Sequence, residues 1–242
     1  MTRMVTLATV LAATAALAGV GKVALVEGSA TRTPKGGKAV ALQKDAAIEL
    51  GDVIEVKGGN LKLVLTDESV IMLAPDSKLE ITEAEFEGQE RKGFKAFLQS
   101  GSLWTKVKKA FGGAGYEVST ERAVAGVRGT IFRIDAEKIV SGAKPPRSAR
   151  KASIVRIVEG VVAVKPTDLV IKASGSKAPT VASGPRQQVN GPTEVSADQW
   201  EKKFAELQAN QQLVVGIDLW EVAQFEEAAK ADAFAKWIEK NQ

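Results

Sequence analysis

The 242-residue sequence predicts a mainly β protein with a helical tail, and three observations carry that reading. Apolar or alternating runs of about four to eight residues fill the stretch from Val20 to about Pro166. Gly, Asp, Asn and Pro punctuate these runs as they do in sandwiches, barrels or β-solenoids, and no helix-length segment lies between them to make parallel crossovers. From Ser196 the apolar spacing changes to three and four residues, the period of a helix.

The first residues, "MTRMVTLATVLAATAALAGVGK", read as an address. Arg3 precedes an uncharged apolar run that ends in Ala16-Leu17-Ala18, a small-residue pattern suited to signal-peptidase cleavage. Residues 1–18 are therefore expected to be a signal peptide, with a mature start near Gly19 and a periplasmic or secreted location. The alternative is a retained anchor, because Met4 to Val20 approaches the length needed to cross a bilayer. If the signal is cleaved, no membrane span is expected in the mature chain.

Residues 20–166 follow as a β-domain, through "VALVEGSATR", "DVIEVKG", "LKLVLTDESVIMLA", "KLEITEAEF", "FKAFLQSGSLWTKV", "YEVST", "GTIFRID" and "SIVRIVEGVVAVK". Three of these place a glycine inside an apolar run: "LVEGS" at Leu25, "LQSGS" at Leu98 and "IVEGV" at Ile157. Glycine in a strand marks a bulge, a bend or a close backbone approach, so the strands are expected to turn corners in a short solenoid or sandwich. "SGAKPPRSARKAS", Ser141 to Ser153, interrupts the strands with prolines and with Lys144, Arg147, Arg150 and Lys151. Such a cluster is either a solvated hairpin loop or a contact patch for an anionic envelope component.

Residues 167–195 are rich in Gly, Pro and Ser and read as an extended connector, in which "LVIKA" and "RQQV" have the composition of short edge strands. Residues 196–240 read as helical. Ser196 suits an N-cap, with Trp200, Phe204 and Leu207 on one face, and a second helix is expected over Asp218 to Glu239.

Composition narrows the function. There is no cysteine and no histidine, so disulfides, thiolate zinc sites and Ser–His or Cys–His catalysis are excluded. The 33 basic and 29 acidic residues nearly cancel, which does not point to nucleic acid as a partner. No cofactor or metal is expected. The acidic residues Asp67, Glu68, Asp76, Glu80, Glu83, Glu85, Glu87 and Glu90 follow no calcium-loop spacing and read as a solvated strand face. Trp104, Phe111, Tyr116, Trp200, Trp220 and Trp237 read as core or helix-docking contacts, too few on the β-part for a carbohydrate platform.

The stretch "ERAVAGVRGTIFRID", Glu121 to Asp135, holds the main candidate motif: Gly126, Arg128, Gly129 and Thr130. A phosphate-binding loop needs a Lys after its last glycine and a helix beyond it, whereas here an alternating strand follows. A nucleophile elbow needs Ser between glycines. The motif is thus a turn feeding a strand, with the two glycines relaxing the backbone. Arg128 is expected to lock the corner through Asp52, Asp67 or Asp135, or else to face solvent and read an anionic ligand.

"VSTERAVAGVRGTIFRID" resembles the signature of the FecR domain family, in which a strand ending in Thr-Pro leads into Ala-Xaa-Val-Arg-Gly-Thr. Collinear with it are "GKVALVEGSATR", "IELGDVIEV", "LKLVLTDESVIMLAPDSKLEI", "FLQSGSLWTKV" and "VRIVEGVVAV", so the resemblance spans about Val20 to Val164. Glu121 stands where the family often has Pro, and "TDES" where it often has Asp-Gly-Ser. The resemblance implies an extracytoplasmic β-domain acting by protein contact, like the outer half of transmembrane anti-sigma regulators. Those regulators carry a sigma-binding segment before their membrane helix, and few residues precede the apolar run here. A stand-alone, exported, non-enzymatic FecR-domain protein that binds an envelope protein or cell-surface polymer, in signalling or scaffolding, is the expectation. The alternative is a carboxylate-dependent polysaccharide-active enzyme on a β-scaffold.

Overall fold

The computed structural model describes residues 19–109, 115–127, 129–141, 149–168, 205–216, 219–225 and 232–242. Along the chain come β1 (Gly21–Val26), β2 (Ser29–Thr33), β3 (Val40–Ala41), β4 (Ala47–Ile48), β5 (Val53–Lys57) and β6 (Leu61–Leu65). Next are β7 (Val70–Leu73), β8 (Lys78–Glu87), β9 (Glu90–Lys106), β10 (Gly115–Ser119), β11 (Ala123–Val127) and β12 (Ile131–Ser141). The last elements are β13 (Ala149–Glu159), β14 (Val161–Pro166), β15 (Ala205–Gln208), β16 (Gln211–Gly216), β17 (Leu219–Gln224) and the helix α1 (Ala233–Asn241).

Strand pairing makes two sheets that share one strand. The first runs β4-β1-β6-β7-β9-β12-β13-β16-β17. The second runs β3-β2-β5-β8-β9-β10-β11-β14-β15. The 17-residue β9 belongs to both, with its first part in the second sheet and Leu103 to Lys106 in the first. Side chains alternate across each strand, as in β6, where Leu61, Leu63 and Leu65 are buried and Lys62 and Val64 are half-buried. The inward rows meet in one core that includes Val23, Ile54, Leu63, Ile71, Leu98, Phe132, Ile157 and Val164. Each such fully buried aliphatic side chain contributes roughly 1.5–3 kcal/mol.

Corners between the sheets stack along two sides of this sandwich. On one side lie Gly28, Gly58 and Gly59, Asp76 and Gly101, all at positive φ. Backbone bonds tie them together: Ser29 N donates to Gly58 O at 3.2 Å, Asp76 N to Val56 O at 2.9 Å and Val56 N to Ser77 O at 2.9 Å. On the other side lie Gly129, Gly160 and Asn210, also at positive φ. Here Val107 N donates to Thr130 O at 2.9 Å, and Asn210 N to Ile157 O at 2.8 Å. The glycines of the three sequence echoes, Gly28, Gly101 and Gly160, are thus all corner residues, with φ of 77, 88 and 85°. Gly101 shows why: its φ suits glycine, and an added Cβ would lie 2.7 Å from Ser77 Cβ.

The C-terminal region departs from expectation. Phe204 and residues 196–203 lie outside the described residues, but Leu207 sits in β15, and the start of the expected second helix is β17. The spacing of Leu207 from Trp200 and Phe204 suggested a helix, whereas Leu207, Leu213 and Val215 are the inward residues of strands extending both sheets. A turn with Asn210 at φ 65° carries the chain between those sheets. Among the described residues there, only Ala233–Asn241 is helical, begun by Asp232, whose side chain accepts from Ala235 N at 2.7 Å. Among the described residues, no helix is long and apolar enough to cross a membrane.

Candidate functional site

The candidate motif is one of the corners. Thr120, at the end of β10, accepts hydrogen bonds at Oγ1 from Arg122 N (3.2 Å) and Ala123 N (3.0 Å), and its hydroxyl lies 2.8 Å from Ser153 Oγ. This side-chain-closed turn starts β11, which points Ala123, Ala125 and Val127 into the core. Gly126 lies in regular strand, opposite Glu117 and Ala163, and does not make the bend expected of it. The bend is at Gly129, with φ 66°. Thr130 follows, buried, and its Cγ2 would lie 2.7 Å from a Cβ added at Gly160, so two neighbouring corners interlock. Arg128 lies outside the described residues.

The three carboxylates considered for Arg128 are held by other arginines. Asp52 Oδ2 accepts from Arg32 Nη1 at 3.0 Å and from Glu49 N at 2.9 Å. The hydrogen bond to Asp52 is the main cause holding the Arg32 guanidinium above its ordinary pKa. Asp67 pairs with Arg91 Nη1 and accepts from Ser69 N (3.0 Å) and Ser69 Oγ (2.8 Å). Arg91 is fully buried, donates through Nη2 to Lys108 O at 3.1 Å, and stands 5.2 Å from the Tyr116 ring centroid. Burial pushes the Tyr116 hydroxyl well above its usual pKa, and Thr105 Oγ1 partners it at 2.8 Å.

Asp135 is the centre of a third group on the outward face of the first sheet. It accepts from Arg133 Nε (3.0 Å) and Nη2 (2.9 Å), from Arg156 Nη1 and from Ser102 Oγ. Arg156 Nε reaches Gln212 Oε1 at 3.2 Å, and Arg133 Nη1 reaches Asp232 Oδ2 at 2.6 Å. Burial alone would lower the Arg133 pKa, but Asp135 and Asp232 outweigh it and hold the guanidinium charged. Beside this group is an apolar patch of Met72, Ala74 and Trp104, flanked by Leu25, Val70 and Ile131 and covered by Phe234, Trp237 and Ile238 of α1.

Of the basic cluster, Lys144 and Arg147 lie outside the described residues, and the backbone of Arg150 pairs with Val140 in the β12-β13 hairpin. Lys151 is exposed, with Nζ 2.7 Å from Glu137 Oε2, and Arg122 Nη1 binds the other oxygen of that carboxylate. Burial alone would raise the Glu137 pKa; hydrogen bonds from Lys151 and Arg122 outweigh it and hold the carboxyl below its ordinary value. In the acidic stretch, Glu83 pairs with Lys95 at 2.6 Å, and Glu87 and Glu90 with Lys92 at 3.1 and 3.0 Å. Among the described residues, no group of three or more Asp or Glu is arranged to hold a metal ion.

Arg91, Arg122, Arg133 and Arg156 escaped the reading of the sequence. One signal was present: in "FRID", Arg133 and Asp135 are two apart on a strand and therefore share a face. Nothing in the sequence pairs Arg91 with Asp67, 24 positions away.

A two-sheet β-domain with glycine corners and buried carboxylates paired to arginines defines the class as a β-sandwich. The FecR protein family model matches residues 52–163, from just before β5 into β14. The sequence block "GKVALVEGSATR" precedes the matched span. Two crystal structures of a "putative anti-sigma factor" from Parabacteroides distasonis, at 2.50 and 1.65 Å resolution, are similar in fold. Each is 16% identical with a TM-score of 0.46 or 0.45, covering 74% of this chain, which spans 61% of the length of theirs. No curated protein matches the chain.

Proposed function

We propose that this chain is a non-enzymatic, extracytoplasmic FecR-domain protein that binds another envelope protein or a cell-surface polymer, in envelope signalling or scaffolding. The FecR match over residues 52–163 carries this reading and supports a signalling-related role. Internal ion pairing favours a binding scaffold over a catalyst: Asp52, Asp67 and Asp135, all buried, are each neutralised by arginine. A catalytic acid or base instead needs a carboxylate free to meet substrate. Export is supported by the leader-like residues 1–18, after which β1 begins at Gly21.

Affinity capture from an envelope fraction, with the tagged chain as bait, tests the reading. Recovery of one specific protein or polymer is expected, and specific turnover of envelope glycans by the purified chain would refute the non-enzymatic role. Arg128→Lys separates the two roles of that residue: a lower melting temperature marks a corner lock, and unchanged stability with lost capture marks a ligand reader. Joint neutralisation of Lys144, Arg147, Arg150 and Lys151 asks whether the basic segment takes part; unchanged capture leaves it a solvated loop.

A further inference from the structure

The outer face of the first sheet is shaped for a helix. Its floor is Met72, Ala74 and Trp104, and α1 lies on it through Phe234, Trp237 and Ile238, the i, i+3, i+4 anchors of helix-in-groove recognition. Charge marks both ends. At one, Arg133 pairs with the N-cap Asp232 and stands 5.3 Å from the Phe234 ring centroid; at the other, Lys62 Nζ donates to the carbonyl of Asn241. Lys62 facing the last turn matches the helix dipole, and Arg133 meets a carboxylate at the N-cap, so the groove reads charge at both helix ends as well as apolar pattern.

The occupant fits incompletely. The Trp237 indole N–H is buried with no acceptor among the described residues, which is the costly state for a donor. The helix has nine residues, too few to hold its shape in water without the groove. It belongs to neither sheet, and residues 225–232 separate it from β17 in the sequence.

We propose that this groove is a docking site for a helix of a partner protein: a short amphipathic helix with a carboxylate N-cap and large apolar anchors at i, i+3 and i+4. In this scheme α1 is a replaceable occupant supplied by the chain itself. A partner with an aliphatic residue in place of Trp237 fills the groove without stranding a donor. The proposal rests on the protein-binding reading above and names its surface.

The probe is a fluorescein-labelled synthetic peptide of residues 231–242 carrying Trp237→Leu, titrated against the full chain and a full-length F234A/I238A variant. Loosening α1 raises the population with an open groove, so the variant is expected to bind the probe at least about tenfold more tightly than the native chain. A probe that also carries Phe234→Ala is expected to bind neither. A variant with native near-ultraviolet circular dichroism that binds no probe, or no more tightly than the native chain, overturns the proposal. Hydrogen exchange on the native chain needs no variant: α1 amides are expected to exchange at least about 100-fold faster than those of β9, and equal protection overturns the proposal. A concentration-dependent dimer lost in F234A/I238A would assign the groove to a second copy and also overturn it. Probe binding with failed envelope capture would refute the envelope partner and leave the groove; the reverse would refute only the groove.

Discussion

Removing the guanidinium of Arg91 by Arg91→Met should be among the most damaging single changes to this fold. The substitution keeps length and apolar stem but deletes the pair with Asp67, the 3.1 Å bonds to Ser69 Oγ and Lys108 O, and the contact with the Tyr116 ring. It leaves the Asp67 carboxylate, 6% exposed, without its cation. Breaking such a pair from one side costs about 3–5 kcal/mol. For a chain of this size that is a fall in melting temperature of roughly 6–20 °C. Adding Asp67→Asn removes the stranded charge and keeps an oxygen to accept from Ser69 N, so Arg91→Met/Asp67→Asn should recover more than half of the loss. What remains is mainly the cation–π contact, worth about 0.5–2 kcal/mol. Urea unfolding followed through the buried Trp104 reads all three variants. A loss below about 1 kcal/mol for Arg91→Met, against the range for a buried pair, would refute the argument. So would a double variant whose loss equals the sum of the singles.

Gly101→Ala should cost about 1–3 kcal/mol in the same unfolding assay, because φ of 88° and the closeness of Ser77 both oppose a Cβ. Thr120→Val, which keeps shape but strips the acceptor from Arg122 N and Ala123 N, should cost about 1–3 kcal/mol, whereas Thr120→Ser should be nearly neutral. Asp232→Ala should loosen α1 by about 1 kcal/mol through loss of the cap, and Asp232→Asn by less, since an amide oxygen still accepts from Ala235 N. Burial works to raise the Asp232 pKa, but the Ala235 amide and Arg133 outweigh it and leave it lowered. Its contribution is therefore fully present above the ordinary aspartate pKa and is lost as pH falls through the lowered folded value. With the side chain 46% exposed, solvent keeps that contribution below about 1 kcal/mol. Trp237 fluorescence should stay flat from pH 7 down to the aspartate range and change only below it; a change centred above pH 5 would contradict this assignment.

Strand segments and corners were legible because each leaves a local mark: alternation for the strands, and glycine inside an apolar run for Gly28, Gly101 and Gly160. The corners at Asp76 and Asn210 left a weaker one, since Asp and Asn tolerate positive φ but occur in many other settings. The helical reading of Leu207 and Leu219 failed for a physical reason. A three- and four-residue spacing over so short a stretch also fits a strand, and the pairing of β15 with β14 and of β17 with β16 decided the matter. The ion pairs were hidden because they join residues such as Arg32 and Asp52, or Asp135 and Arg156, that only sheet register brings together.

Register also explains why the C-terminal strands are part of the domain. The FecR match ends at residue 163, inside β14, yet β13 and β14 are not the edges of their sheets. Beyond them Leu207, Leu213 and Val215 are almost fully buried and continue the inward rows of Val155, Ile157, Val162 and Val164. Without β15 and β16 those rows would meet water along two open edges, and Ser153 would lose its backbone partner at Val215. The same reasoning sets α1 apart: it covers a separate apolar cluster on the outside of the first sheet, so its removal uncovers Met72 and Trp104 and leaves the sandwich core closed. A strand that completes the core is held by the fold, whereas a helix that only covers an outer patch is free to yield its place to another.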